Sequence, residues 1–142
     1  MRQTLAFRRP RPRLDVGEML ARTRNASAAI DLSDGLLSDL GHVCTASRVG
    51  ARIDAERIPF APPLRRLPRD ERLALGLGGG EDYELLFTVP PARVRYLEES
   101  ARRRSLRVTN IGSVTRERGI RIAGVSRASS AAIVAGFDQF RR

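Results

Sequence analysis

The sequence contains no lysine and no tryptophan, one histidine and one cysteine, and aromatic residues make up only 5% of its 142 positions. A single cysteine, Cys44, excludes an intramolecular disulfide and a multi-cysteine zinc site, and it matches a reducing, cytoplasmic compartment. No apolar run is long enough to span a bilayer, and the start, Met1 to Leu14, lacks the apolar stretch of a secretory leader. That start is Arg-rich and poor in acids, as mitochondrial presequences are, but Pro10 and Pro12 among the arginines oppose the amphipathic helix such a leader needs. The expectation is a cytoplasmic protein with no membrane partner.

A 42% apolar and 30% charged composition is ordinary for a folded domain, and the length suits one domain that buries roughly two-thirds of its unfolded surface. The net charge of +10 would concentrate anions near the surface. Every basic residue is Arg, however, and with the Ala and Gly content this reads as a codon bias, so part of the charge says nothing about partners. The stretch Arg8-Arg9-Pro10-Arg11-Pro12-Arg13 has no interleaved aromatic platform for bases and reads as a linker rather than a nucleic-acid site.

Along the chain, Val16, Met19 and Leu20 predict a short helix over residues 15–24, and Ala28 to Leu32 a buried strand. Leu36, Leu37, Leu40, Val43 and Cys44 share one face of a helix that ends near Gly50, with Cys44 in the core and His42 off that face as a surface histidine without companion ligands. Residues 51–53 read as a strand, 58–68 as a proline-rich loop, and 69–75 as a brief helix before Gly78-Gly79-Gly80, which is expected to form a tight turn. Residues 83–88 are apolar on both faces, as in a central strand. Pro90-Pro91 opens a helix to Arg103, and strands over 106–114 and 120–123 follow. The fold class is α+β, a layered α/β/α arrangement with a mixed sheet. Residues 1–13 are a lead-in, and 14–142 form one domain.

Two stretches can carry chemistry. Asp31-Leu32-Ser33-Asp34-Gly35 puts two carboxylates and a hydroxyl between a strand and a helix start. Helix starts favour phosphate, but each carboxylate–phosphate pair at ~4 Å costs on the order of 4 kcal/mol, a sign that a divalent cation reverses. Mg²⁺ takes one or two carboxylates with phosphate oxygens and waters, so the stretch suits a metal-bridged nucleotide; ordinary helix capping by Ser and Asp is the competing account. The second stretch, Gly78-Gly79-Gly80-Glu81-Asp82-Tyr83-Glu84-Leu85, presents acids ahead of a strand, and Glu81 can accept from an amino group or meet a cationic ring; a solvated loop is the alternative.

IDLSDGLLSDL and GGEDYELLF resemble the two signature segments of the carboxy-terminal domain of thiamine-monophosphate kinases, members of the aminoimidazole ribonucleotide synthetase-related superfamily. RPRPRL, SRVGARIDAERIP, IGSV and GFDQF agree in the same order, so the resemblance spans nearly the whole chain. It implies that Asp31 binds Mg²⁺ and Asp34 another Mg²⁺, that Ser33 contacts ATP, and that Glu81 and Phe137 meet thiamine monophosphate. A flat ring beside a thiazolium is reasonable, although Phe137 and Phe140 equally suit a core. The family tail ends Gly-Phe-Asp-His-Phe, whereas Gln139 stands here in place of the His, so no catalytic role is assigned to it.

The resemblance also implies a fold of the aminoimidazole ribonucleotide synthetase carboxy-terminal type, ATP as phosphoryl donor, a homodimeric intact enzyme, and an amino-terminal domain that this chain lacks. Phosphoryl transfer needs in-line positioning and neutralised charge, so little or no kinase activity is expected of this chain alone. The alternatives are a thiamine-phosphate-binding module without catalysis and the matching domain of another ATP-using enzyme of the superfamily.

Overall fold

A computed structural model describes residues 10–125. These divide into two compact units, one of residues 10–33 and 81–108, the other of residues 34–80 and 109–125. The first unit contains helix α1 (Leu14–Thr23), strand β1 (Ala28–Asp31), strand β3 (Leu85–Thr88) and helix α4 (Val94–Arg103). The second contains helix α2 (Leu36–Ser47), strand β2 (Gly50–Asp54), helix α3 (Arg69–Gly78), strand β4 (Gly112–Thr115) and strand β5 (Gly119–Ala123).

In the first unit the helical spacing of Val16, Met19 and Leu20 on α1 meets Leu97 and Ala101, one turn apart on α4, in a buried cluster. Leu85 and Phe87 of β3 pack against it. Each such side chain taken from water contributes about 1.5–3 kcal/mol before entropy is counted, which outweighs the exposed Glu18–Arg22 ion pair on α1. α1 ends where Arg24 turns left-handed at φ 49°. β1 and β3 are antiparallel, with Ala28 opposite Thr88 and Asp31 opposite Leu85.

In the second unit Leu36, Leu37, Leu40 and Cys44 bury one side of α2, and Leu73 and Leu77 one side of α3. The Cys44 thiol is pushed up from its ordinary pKa by burial, consistent with a packing role. β2 lies between β4, to which it is antiparallel, and β5, to which it is parallel, giving a mixed sheet. In the loop before α3 the Arg72 guanidinium stacks over the Phe60 ring, 5.2 Å from its centroid.

Several sequence expectations change. α3 runs to Gly78 rather than stopping near residue 75, so Gly78 is the last helical residue and no positive φ occurs at Gly78, Gly79 or Gly80. β3 starts at Leu85 because Tyr83 has φ 50°, which cannot continue a strand, and among the described residues β3 pairs with β1 alone rather than lying centrally. Residues 106–111 stay outside the strands; β4 and β5 are not paired with each other, each using one edge of β2. The tail with Phe137, Gln139 and Phe140 lies outside the described residues.

Candidate functional site

In the first unit the β1–β3 ladder continues past the strand ends into both acidic stretches. The Leu32 N–H donates to the Glu84 carbonyl at 2.8 Å, the Tyr83 N–H to the Leu32 carbonyl at 2.8 Å, and the Glu81 N–H to the Ser33 carbonyl at 2.8 Å. Antiparallel pairing therefore brings Asp31-Leu32-Ser33 alongside Glu81-Asp82-Tyr83-Glu84, a juxtaposition of segments almost fifty positions apart that neither segment announces by itself. The ladder does not stay regular: Glu81 has φ 66° and Tyr83 φ 50°, left-handed values that are uncommon for residues with side chains.

Asp31 and Glu81 are exposed, and their carboxylates take no hydrogen bond or ion pair among the described residues. Glu84 is engaged: the Arg13 guanidinium donates to its two carboxylate oxygens at 2.9 and 3.2 Å. Asp82 belongs to an open stretch, yet its carboxyl is pushed above the ordinary carboxylate range, first by partial burial and then by the negative charge of Glu84. This edge of the unit is thus rich in negative charge, and among the described residues only Glu84 of its carboxylates is engaged by a cation.

In the second unit Asp34 and Gly35 lead into α2. Gly35 has φ 109° and ψ 153°, a conformation open essentially to glycine alone, and a Cβ there would lie 3.0 Å from the Gly78 carbonyl oxygen and 3.1 Å from that of Gly79. The first turn therefore sits backbone to backbone against the end of α3. Asp39, only 2% exposed, accepts from the Asp34 N–H at 3.2 Å, which fixes the turn from inside the helix it precedes.

Asp34, Asp39 and His42 each offer a ligand atom, all within 4.8 Å of one another. His42 is exposed as its sequence position implied, but it is not without companions: Asp39 lies three residues earlier on the same helix, a spacing that puts both on one face and that would have revealed the pair. Oxygen-rich donors of this kind fit a hard divalent cation. The exposed Asp34 carboxylate, free of protein partners among the described residues, leaves its oxygens available to one.

Of the residues singled out from the sequence, Asp31, Ser33 and Glu81 thus fall in the first unit, and Ser33 and Glu81 are joined through their backbones. Asp34 begins the second unit. Phe137 lies outside the described residues. An open apolar groove of about 490 Å³ lined by Leu20, Ala21, Ala26, Ala29 and Leu85 carries none of them.

Residues 4–125 match the family described as AIR synthase related protein, C-terminal domain, and the chain belongs to that family. Within it, the chain is 45% identical over 108 residues to the thiamine-monophosphate kinase of Escherichia coli K12, covering 75% of this chain and 33% of that protein. The crystal structure of thiamine-monophosphate kinase from Stenotrophomonas maltophilia K279a superposes with a TM-score of 0.78 at 40% identity, over 84% of this chain and 38% of that one. A structure described as AaThiL complexed with AMPPCP and TMP superposes with a TM-score of 0.69 at 30% identity, over 87% and 38%. The α+β fold expected from the sequence is the fold of these proteins. The chain spans about a third of the length of the E. coli relative.

Proposed function

We propose that this chain is the carboxy-terminal part of an Mg-ATP-dependent kinase that converts thiamine monophosphate to thiamine diphosphate. The observation that carries the reading is the pairing of the two signature segments through the Leu32–Glu84, Tyr83–Leu32 and Glu81–Ser33 backbone bonds, which leaves the Asp31 and Glu81 carboxylates exposed and without protein partners among the described residues. Similarity to thiamine-monophosphate kinases, one seen with AMPPCP and TMP, supports the substrate class.

In this reading a terminal oxygen of the thiamine monophosphate phosphate forms a bond to the γ-phosphorus of ATP while the bond from that phosphorus to ADP breaks. Asp31 binds Mg²⁺ and Asp34 binds another Mg²⁺, ions that when bound would neutralise charge building on the transferring group. Ser33 contacts ATP from the same turn, Glu81 meets the cationic or amino-bearing part of thiamine, and Phe137 packs against its ring. Asp39 holds the Asp34 backbone in place through the 3.2 Å bond. The remaining metal ligands and part of the ATP site come from an amino-terminal domain, so the chain alone has little or no activity; the intact enzyme is a cytoplasmic homodimer that uses neither nucleic acid nor membrane.

The test is to isolate the native polypeptide carrying this sequence, using an antibody against it, and to assay thiamine diphosphate formation with Mg-ATP. The expected result is turnover by a polypeptide larger than 15.7 kDa and none by the chain alone. A native polypeptide that forms no thiamine diphosphate removes the proposal, and robust turnover by the pure chain removes the claim that it needs another domain.

A further inference from the structure

We infer that Tyr83 is a ligand-contacting residue that sets specificity, its ring presented beside Glu81 to a flat, cationic heteroaromatic ring in the substrate. The inference deepens the thiamine-phosphate reading above and rests on it.

Strain is the first ground. A left-handed conformation costs an L-residue roughly 1–2 kcal/mol, and for a bulky side chain it is an outlier. Tyr83 at φ 50° and Glu81 at φ 66° carry that cost, while Gly78, Gly79 and Gly80, which would bear it freely, sit just before them without a positive φ. Glycine at residue 81 or 83 would relieve the backbone; Arg24 and Arg48 take similar values as helix caps, whereas Glu81 and Tyr83 cap no helix. Such conformations persist where the surroundings over-determine them, and here three backbone hydrogen bonds to Leu32 and Ser33 do so.

The ring itself is the second ground. Tyr83 is 37% exposed, is no part of the buried cluster of its unit, and makes no hydrogen bond through its hydroxyl among the described residues. The third ground is charge. Glu81, Asp82 and Glu84 are the nearest acids to Tyr83 along the chain, and of the three only Glu84 is met by Arg13, so this stretch carries negative charge that favours a cation over an aromatic face. A carboxylate and an exposed phenol held two residues apart make a recognition pair for a flat cationic ring.

The experiment measures steady-state kinetics of the native polypeptide and thermal melting of the 142-residue chain for Tyr83→Phe, Tyr83→Ala and Tyr83→Gly. Tyr83→Ala is expected to raise KM for thiamine monophosphate about tenfold with kcat and the KM for ATP little changed, and Tyr83→Phe to keep the wild-type KM. Tyr83→Gly is expected to melt above Tyr83→Ala, because it relieves the left-handed backbone, yet to share its raised KM. An unchanged KM in Tyr83→Ala overturns the role of Tyr83 and leaves the kinase reading standing, as does a KM that merely tracks the melting temperature across the three variants. A wild-type polypeptide with no turnover removes the substrate reading, and the role of Tyr83 with it.

Discussion

The two signature turns solve the same backbone problem in opposite ways. The first, at Asp34 and Gly35, needs φ 109° where the backbone comes within 3.1 Å of a would-be side chain, and glycine fills that position. The second, over residues 78–84, has three glycines available and uses none of them at positive φ; Glu81 and Tyr83 take the left-handed values instead. A glycine at such a site reports close packing; side chains in left-handed positions elsewhere, such as Arg24 and Arg48, end helices, which Glu81 and Tyr83 do not.

Variants that exchange or remove these devices sharpen the contrast. The largest effect is expected from Gly35→Ala: a Cβ in a region open essentially to glycine, against the Gly78 and Gly79 carbonyls, costs about 3 kcal/mol and lowers the melting temperature of the chain by about 10 °C in calorimetry. Gly79→Ala follows at about 2 kcal/mol, because its Cβ would lie 2.3 Å from the Leu75 carbonyl oxygen and force the end of α3 to shift. Asp39→Leu leaves the Asp34 N–H without its acceptor and is expected to cost about 1.5 kcal/mol by urea denaturation.

The smallest effect belongs to Asp82→Asn. Burial raises the folded-state pKa of Asp82 above its unfolded value, so folding disfavours the ionised form, and the carboxyl weakens stability as pH rises through the ordinary carboxylate range. Asp82→Asn should therefore melt slightly above wild type at neutral pH, with the gap closing on acidification below that range. A gap that widens with acidification would reverse the assigned sign.

Much of this was legible in the sequence where side-chain periodicity dictates burial. The 3.6-residue spacing of Val16, Met19 and Leu20, and of Leu36, Leu37, Leu40 and Cys44, marked both helices and their buried faces. Local pattern could not reveal which strands pair: β4 and β5 lie on opposite edges of β2, and β3 pairs with β1, because register is settled by contacts distant in sequence. The glycine run misled for a similar reason. Gly79 follows the helix end with φ −71°, where its lack of a Cβ admits the Leu75 carbonyl, and no composition rule separates that use from a turn.

The candidate site was legible as residue types and order, since Asp31, Ser33, Asp34 and Glu81 lie in the two segments that carry the family resemblance. What the sequence concealed was their physical arrangement: the backbone bond from Glu81 to Ser33, the buried Asp39 beneath Asp34, and the left-handed Glu81 and Tyr83. The spacing of Asp39 and His42 on one helix carried that pair, but Asp34 joined them only in three dimensions, because a surface helix position carries no sign of what the preceding turn will bring to it.

The most direct measurement of the central claim is Glu81→Gly, taken in parallel through the melting temperature of the chain and the thiamine monophosphate kinetics of the native polypeptide. The account predicts that wild type turns over thiamine monophosphate, that Glu81→Gly melts higher, with about 1 kcal/mol of backbone strain removed, and that its KM for thiamine monophosphate rises at least about tenfold. A Glu81→Gly enzyme with the wild-type KM, or a native polypeptide that never forms thiamine diphosphate, would contradict it.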